Sequence, residues 1–188
     1  MKSILLFILS TVILPAHISA SATKQPDVHF LHRAHEALTS VIIHDIFSPP
    51  VSSRIYLYAH IAAYETLVKA DVRFQSLHGQ VPDFPVIPAP AEKISYSLAA
   101  IHAFMLTGKR LVFSESVMED SLQQILRSYK KEVSGAQWRS SLKYGELVSD
   151  VILSWAGNDQ YAETRKLRRY NYRKEEGKWI PTPPVYMA

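Results

Sequence analysis

Phe47-Ser48-Pro49-Pro50-Val51-Ser52-Ser53-Arg54-Ile55-Tyr56-Leu57-Tyr58-Ala59-His60-Ile61-Ala62-Ala63-Tyr64-Glu65 is the stretch whose reading decides the fold. Proline at the first positions of a helix costs little, because the amide it lacks has no partner there. Inside a helix it breaks the ladder. Ser48 followed by Pro49 and Pro50 therefore ends one helix and caps the next. Beyond the prolines, Val51, Ile55, Tyr58, Ile61, Ala62 and Leu67 recur at helical spacing. The alanines among them are small enough to admit a close neighbouring helix.

Working outward, Val28, Leu31, Leu38, Val41 and Ile42 form a second stripe of the same period, which predicts a helix over 28–46 with Asp27 at its cap. Residues 78–90 hold four prolines and one glycine among short apolar residues, the composition of an ordered but irregular loop. A third helix is expected over 91–112. A fourth runs from Ser114 or Ser116 to 133, where Ser116 and Glu119 have capping-box spacing. Ser134 and Gln137 repeat that spacing and open a fifth helix, which carries Trp138, Leu142, Leu147, Val151, Ile152 and Trp155 and stops at Gly157. With no persuasive strand pattern, the chain is expected to be all-α, a helical bundle of about five helices.

The ends read differently. Lys2, an apolar run over 4–14 and Ala20-Ser21-Ala22 have the charge, core and small-x-small site of a secretory signal, so residues 1–22 are read as a signal peptide. The run is short of the ~20 residues a spanning helix needs, and no stable membrane anchor is expected once the signal is cleaved. The protein is thus expected to be exported, periplasmic or secreted, with a helical domain over 23–157. Residues 158–188 follow as an irregular basic and aromatic segment, with a turn at Lys174 to Lys178 and an extended Pro-rich connector at Trp179 to Pro184.

The chain has no cysteine, which excludes disulfide frameworks, thiolate metal sites and cysteine nucleophiles. Its formal charge of +4 is mild. Most of the excess lies in Arg165, Lys166, Arg168, Arg169, Arg173 and Lys174, interleaved with Tyr170 and Tyr172. Such a pattern can hold nucleic acid. In an exported chain it reads as a solvated loop or a contact for an anionic partner, and no nucleic acid is expected.

Two blocks, residues 43–65 with the Asp45 to Glu65 sequence and Trp179-Ile180-Pro181-Thr182-Pro183-Pro184-Val185-Tyr186, resemble the amino-terminal part of bacterial vanadium-dependent haloperoxidase-like proteins of the type 2 phosphatidic acid phosphatase superfamily. The resemblance covers nearly all of the chain after the signal. It implies an active site on three later motifs: a lysine followed at a distance by Arg-Pro, then Pro-Ser-Gly-His, then Ser-Arg with a histidine six residues after the arginine. Cationic forks neutralise phosphate or vanadate there, and the histidines attack phosphorus, coordinate vanadium or move protons. This chain has no Arg-Pro and no Pro-Ser-Gly-His. Ser53, Arg54 and His60 match the third motif by spacing. They fall within the amino-terminal block, no second motif precedes them, and Tyr64 stands where the phosphatases often have aspartate. They are read as a decoy, with Arg54 and Glu65 in structural ion pairs or hydrogen bonds.

The remaining chemistry is histidine. His29, His32 and Glu36 fall at i, i+3 and i+7 on one helical face, a spacing that could hold zinc or copper. No second cluster closes a tetrahedron, and the plain reading leaves His29 and His32 solvated, His35 packed, His44-Asp45 ending the first helix with Asp45 bonded to nearby amides or to Arg54, and His102 in the core. The expectation is an amino-terminal scaffold without catalytic residues or a cofactor of its own, vanadate belonging to full-length relatives. Its partner would be a catalytic half carried elsewhere, or a second copy through exposed apolar surface. The alternative is a self-sufficient periplasmic binding module that uses the basic loop or the histidine face.

Overall fold

The computed structural model describes residues 26–130, 133–168, 171 and 175–182, with side chains from Val28 onward. The signal segment and the end of the Pro-rich connector therefore lie outside the described residues, as do Arg169, Arg173 and Lys174 of the basic run; Asp27 does not cap the first helix, which already includes it by starting at Pro26. The element order is α1 (Pro26–His44), α2 (Pro49–Leu67), α3 (Tyr96–Lys109), α4 (Glu115–Tyr129), α5 (Gly135–Ala156) and a single turn, α6 (Tyr161–Thr164). No strand occurs among the described residues, where the sole pairing is a bridge between His78 and Val81. The all-α expectation holds.

The corner between α1 and α2 follows the prolines. Ser48 is extended, with φ −66° and ψ 151°, and Pro49 and Pro50 take the first helical positions, yet the Ser48 side chain makes no capping bond. Pro50, at the second helical position, removes one of the two amides such a side chain could have capped. Just before them Ile46 has φ 55°, a left-handed conformation that is costly for a β-branched residue. Asp45 holds the corner in place. Its carboxylate accepts from the amides of Phe113 (2.8 Å) and Ser114 (3.0 Å) and from the Ser114 hydroxyl (2.5 Å), tying the end of α1 to the start of α4. Phe47 packs at a tilt against Phe113 with ring centroids 4.7 Å apart.

Helix α3 is the hub, packed against α1, α2, α4 and α5. Small residues let it sit so centrally. Ala59, Ala62 and Ala63 of α2 and Ala99, Ala100 and Ala103 of α3 are all buried. On the α5 side, a β-carbon placed on Gly145 would lie 2.6 Å from the Ala99 carbonyl oxygen and 3.0 Å from the His102 β-carbon. Within that contact the buried Thr107 hydroxyl donates to Ser149 Oγ at 3.0 Å. Two apolar clusters result. One joins α1, α2, α3 and α4 around Leu38, Ile55, Phe104 and Met118, and the other joins α2, α3 and α5 to the Pro-rich loop through Phe84 and Ile87.

That loop is ordered by polar anchors. Glu65 is completely buried, and its carboxylate accepts from the Ser76 hydroxyl (2.8 Å) and the Leu77 amide (2.7 Å). His78 Nδ1 meets the Phe84 carbonyl at 2.8 Å, and the Tyr144 hydroxyl donates to the Pro88 carbonyl at 2.9 Å.

Several boundaries differ from expectation. Helix α3 starts at Tyr96, not at 91, because Pro88 and Pro90 keep the approach extended and Ser95 takes the cap, accepting from the Leu98 amide at 3.4 Å. The Ser116–Glu119 capping box does not form. Ser114 is the N-cap, its hydroxyl is committed to Asp45, and Glu119 instead accepts from Lys109 (2.6 Å) and Gln123 (2.7 Å). Ser134 does occupy the cap of α5, but without a side-chain bond, so the second box is absent too. The turn at Glu175 to Lys178 is present, with Gly177 at φ 75°.

Two predictions follow from this packing. Gly145→Ala drives a methyl group into backbone, whereas at Gly108 the same methyl meets the movable ends of Leu38 and Met118. Gly145→Ala is expected to cost about 1–3 kcal/mol in urea denaturation, and Gly108→Ala clearly less. Asp45→Ala is expected to cost about 1–2 kcal/mol through the stranded amides. Burial opposes ionisation of Asp45, but the bonds from Ser114, His44 and Phe113 outweigh it and lower its pKa from 3.8 to about 2. Its contribution is therefore complete above about pH 4 and is lost as the pH falls through 2, so wild type and Asp45→Ala should converge in stability across that interval.

Candidate functional site

Arg54 is the best-connected cation among the described residues. It leaves α2 toward the end of α5, where its Nε donates to Asp159 Oδ2 at 2.5 Å and its Nη2 to the Ala156 carbonyl at 3.4 Å. The guanidinium lies over the rings of Tyr161 (4.4 Å) and Tyr58 (5.0 Å). The Tyr58 hydroxyl donates to the same Asp159 oxygen at 3.0 Å, and Asp159 Oδ1 accepts from the Tyr161 amide at 2.9 Å in an Asx turn. Burial works against ionised Asp159, but Arg54, the Tyr161 amide and Tyr58 together hold its carboxyl below the usual range. Burial, with Asp159 as hydrogen-bond acceptor and charge, pushes Tyr58 up to about 12.

His60 points elsewhere. Its Nδ1 meets the Tyr56 carbonyl at 2.7 Å, and its ring packs edge-on against Phe104 at 5.0 Å and beside His35 at 5.3 Å. Six residues along a helix turn the side chain by about 600°, so Arg54 and His60 sit on faces about 120° apart. Ser53 bonds back to the Pro49 carbonyl at 2.9 Å. An oxyanion such as vanadate needs cationic forks and a histidine converging on one point. Ser53, Arg54 and His60 do not converge, and Arg54 already carries its carboxylate. These residues do not fit vanadate.

The other histidines divide between surface and core. His29, His32 and Glu36 are exposed, and among the described residues no three histidine, aspartate or glutamate side chains are grouped to hold a metal ion. His35 is exposed rather than packed, stacked on Tyr56 at 5.2 Å. Desolvation, then the neighbouring His60 and His32, lower its pKa. His102 has its Nδ1 on the Leu142 carbonyl at 2.9 Å, and burial lowers its pKa as well. Asp45 bonds to amides and not to Arg54. Of the basic run, Arg165 lies over Tyr161 at 5.3 Å, while Arg169, Tyr170, Tyr172, Arg173 and Lys174 lie outside the described residues.

Asp159 and Tyr161 are the partners that sequence reasoning missed. The signal was there in Asp159 placed two residues before Tyr161 at a helix start, the spacing of an Asx turn. Arg54→Met is expected to destabilise the chain by about 1–2 kcal/mol in urea denaturation and to raise amide exchange over 159–166, with Arg54→Lys intermediate. An unchanged exchange pattern would remove Arg54 from its role as the strap of this segment.

No family model matches the chain, and no curated protein matches it significantly. A solved structure does: the crystal structure of the first bacterial vanadium-dependent iodoperoxidase is 38% identical and superposes with a TM-score of 0.75, over 85% of this chain and 39% of that one. The chain thus spans well under half the length of that relative. Among the described residues no helix is long and apolar enough to cross a membrane. Sequence identity and fold agree over most of the chain, which is a vanadium haloperoxidase-like protein.

Proposed function

We propose that this chain is the amino-terminal helical scaffold of an exported vanadium-dependent haloperoxidase-like protein, that the groups holding vanadate or phosphate lie outside its described helices, and that alone it catalyses nothing. The observation that carries the reading is the match to an iodoperoxidase over 85% of this chain but 39% of that one. The commitment of Arg54 to Asp159 and of His60 to Tyr56 and Phe104 supports it.

The scaffold's partner is the portion carrying the catalytic motifs, or in its absence a second copy. Apolar surface is available at the α1–α2 corner, where Ile46 is 88% and Phe113 77% exposed. Export rests on the signal-like residues 1–22.

The test is a halide-oxidation assay on the purified full chain, with peroxide, iodide or bromide, and added orthovanadate. The expected result is no turnover above the protein-free control, and no vanadate retained in equilibrium dialysis. Vanadate-dependent oxidation abolished by Arg54→Ala or His60→Ala would overturn the reading. Stoichiometric uptake of zinc, copper or phosphate in calorimetry would instead favour a free-standing binding module.

A further inference from the structure

A trough lies between the Pro-rich segment leading into α3 and one face of α5. Its apolar part has a volume of about 260 Å³, lined chiefly by Pro88, Pro90, Ile94 and Leu147. The walls are set before any ligand arrives. Proline fixes φ on one side. The Tyr144 hydroxyl staples the Pro88 carbonyl to α5 at 2.9 Å, and Ser141 Oγ accepts from the Ser95 amide at 2.8 Å, tying the cap of α3 to α5. On the α5 side, Ala136, Arg139, Ser140, Lys143 and Leu147 fall at three- and four-residue spacing on one face.

At its open end the trough runs into a polar basin of about 300 Å³, lined by Arg139, Lys143, Ser140 and Glu92. The Ser140 hydroxyl donates to the Glu92 carboxylate, turning that charge toward α5. Neither Arg139 nor Lys143 forms an ion pair among the described residues. Two cations and one hydrogen-bonded carboxylate leave the basin with an excess positive charge beside an apolar slot. The volume is just below that of sites for drug-sized ligands, which suits a short apolar body.

We propose that this trough binds a small amphipathic carboxylate, a short-chain alkyl or aryl acid, with its apolar body against Pro88, Pro90, Ile94 and Leu147 and its carboxylate between Lys143 and Arg139. The site is independent of the scaffold role and stands or falls separately from it. Lys143 and Arg139 confer the preference for an anion, and the rigid proline wall limits the body to a narrow cross-section.

The test is a titration of the full isotope-labelled chain, followed by amide chemical shifts, with octanoate, octanol and octylamine. Octanoate is expected to give saturable shifts confined to residues 88–94 and 139–147, with octanol about tenfold weaker and octylamine weaker still. The double variant Arg139→Ala/Lys143→Ala should weaken octanoate about tenfold and leave octanol unchanged. Both side chains are exposed, so the fold should survive, and the ligand series on the unmodified chain tests the charge preference without any variant. No saturable shifts, shifts that map elsewhere, equal affinity for octanoate and octanol, or a double variant that binds octanoate as before would each overturn the proposal.

Discussion

The 2.6 Å separation between the Ala99 carbonyl oxygen and the place a β-carbon on Gly145 would occupy sets the spacing of the bundle. Helix α3 can be a hub only if its neighbours approach closely, and alanine, serine and glycine at the contacts permit that. The polar bonds across the α3–α5 contact depend on the same distance. Thr107 with Ser149, His102 with the Leu142 carbonyl, and the Ser95 amide with Ser141 all reach across it. A methyl group at position 145 would strain these pairs together, and that strain is part of the about 1–3 kcal/mol expected for Gly145→Ala.

Helical periodicity was legible in the chain because every long helix buries one face, and the proline pair at 49–50 marked the sharpest corner without ambiguity. Capping was less legible. Ser116 with Glu119 and Ser134 with Gln137 have the right spacing, yet each box needs side chains free to turn back on their own helix. Glu119 is drawn to Lys109 across the α3–α4 contact, and Ser114 to Asp45 from α1. Those competitors are 10 and 69 residues away in sequence, beyond any local pattern. The residues around position 159 show the same limit. Gly157 marks the end of α5, but only folding reveals that the chain beyond it returns to clasp Arg54.

Spacing alone also explains why Ser53, Arg54 and His60 imitate a catalytic motif. A catalytic motif works when its loop or helix end directs all three side chains to one point; within a continuous helix the same spacing sends them apart. Arg54 faces α5 and the α6 turn, and His60 faces α1 and α3. Each joins α2 to a different neighbour.

The carboxylates carry that reasoning to its functional end. Perturbed acids often mark active sites, because chemistry needs a group held away from its ordinary ionisation. Asp45 and Asp159 are perturbed here, and the partners responsible are amides, hydroxyls, the His44 imidazole and one guanidinium. Buried Glu65 is likewise bonded to a serine hydroxyl and an amide. Each closes a loop: Asp45 the corner at α4, Glu65 the Pro-rich segment, Asp159 the return after α5. In each of the three, one carboxylate oxygen takes a backbone amide and the other partners are side chains of neighbouring elements. The lowered pKa of Asp45 and of Asp159 is thus tied to bonds that exist only in the folded chain, and so to stability.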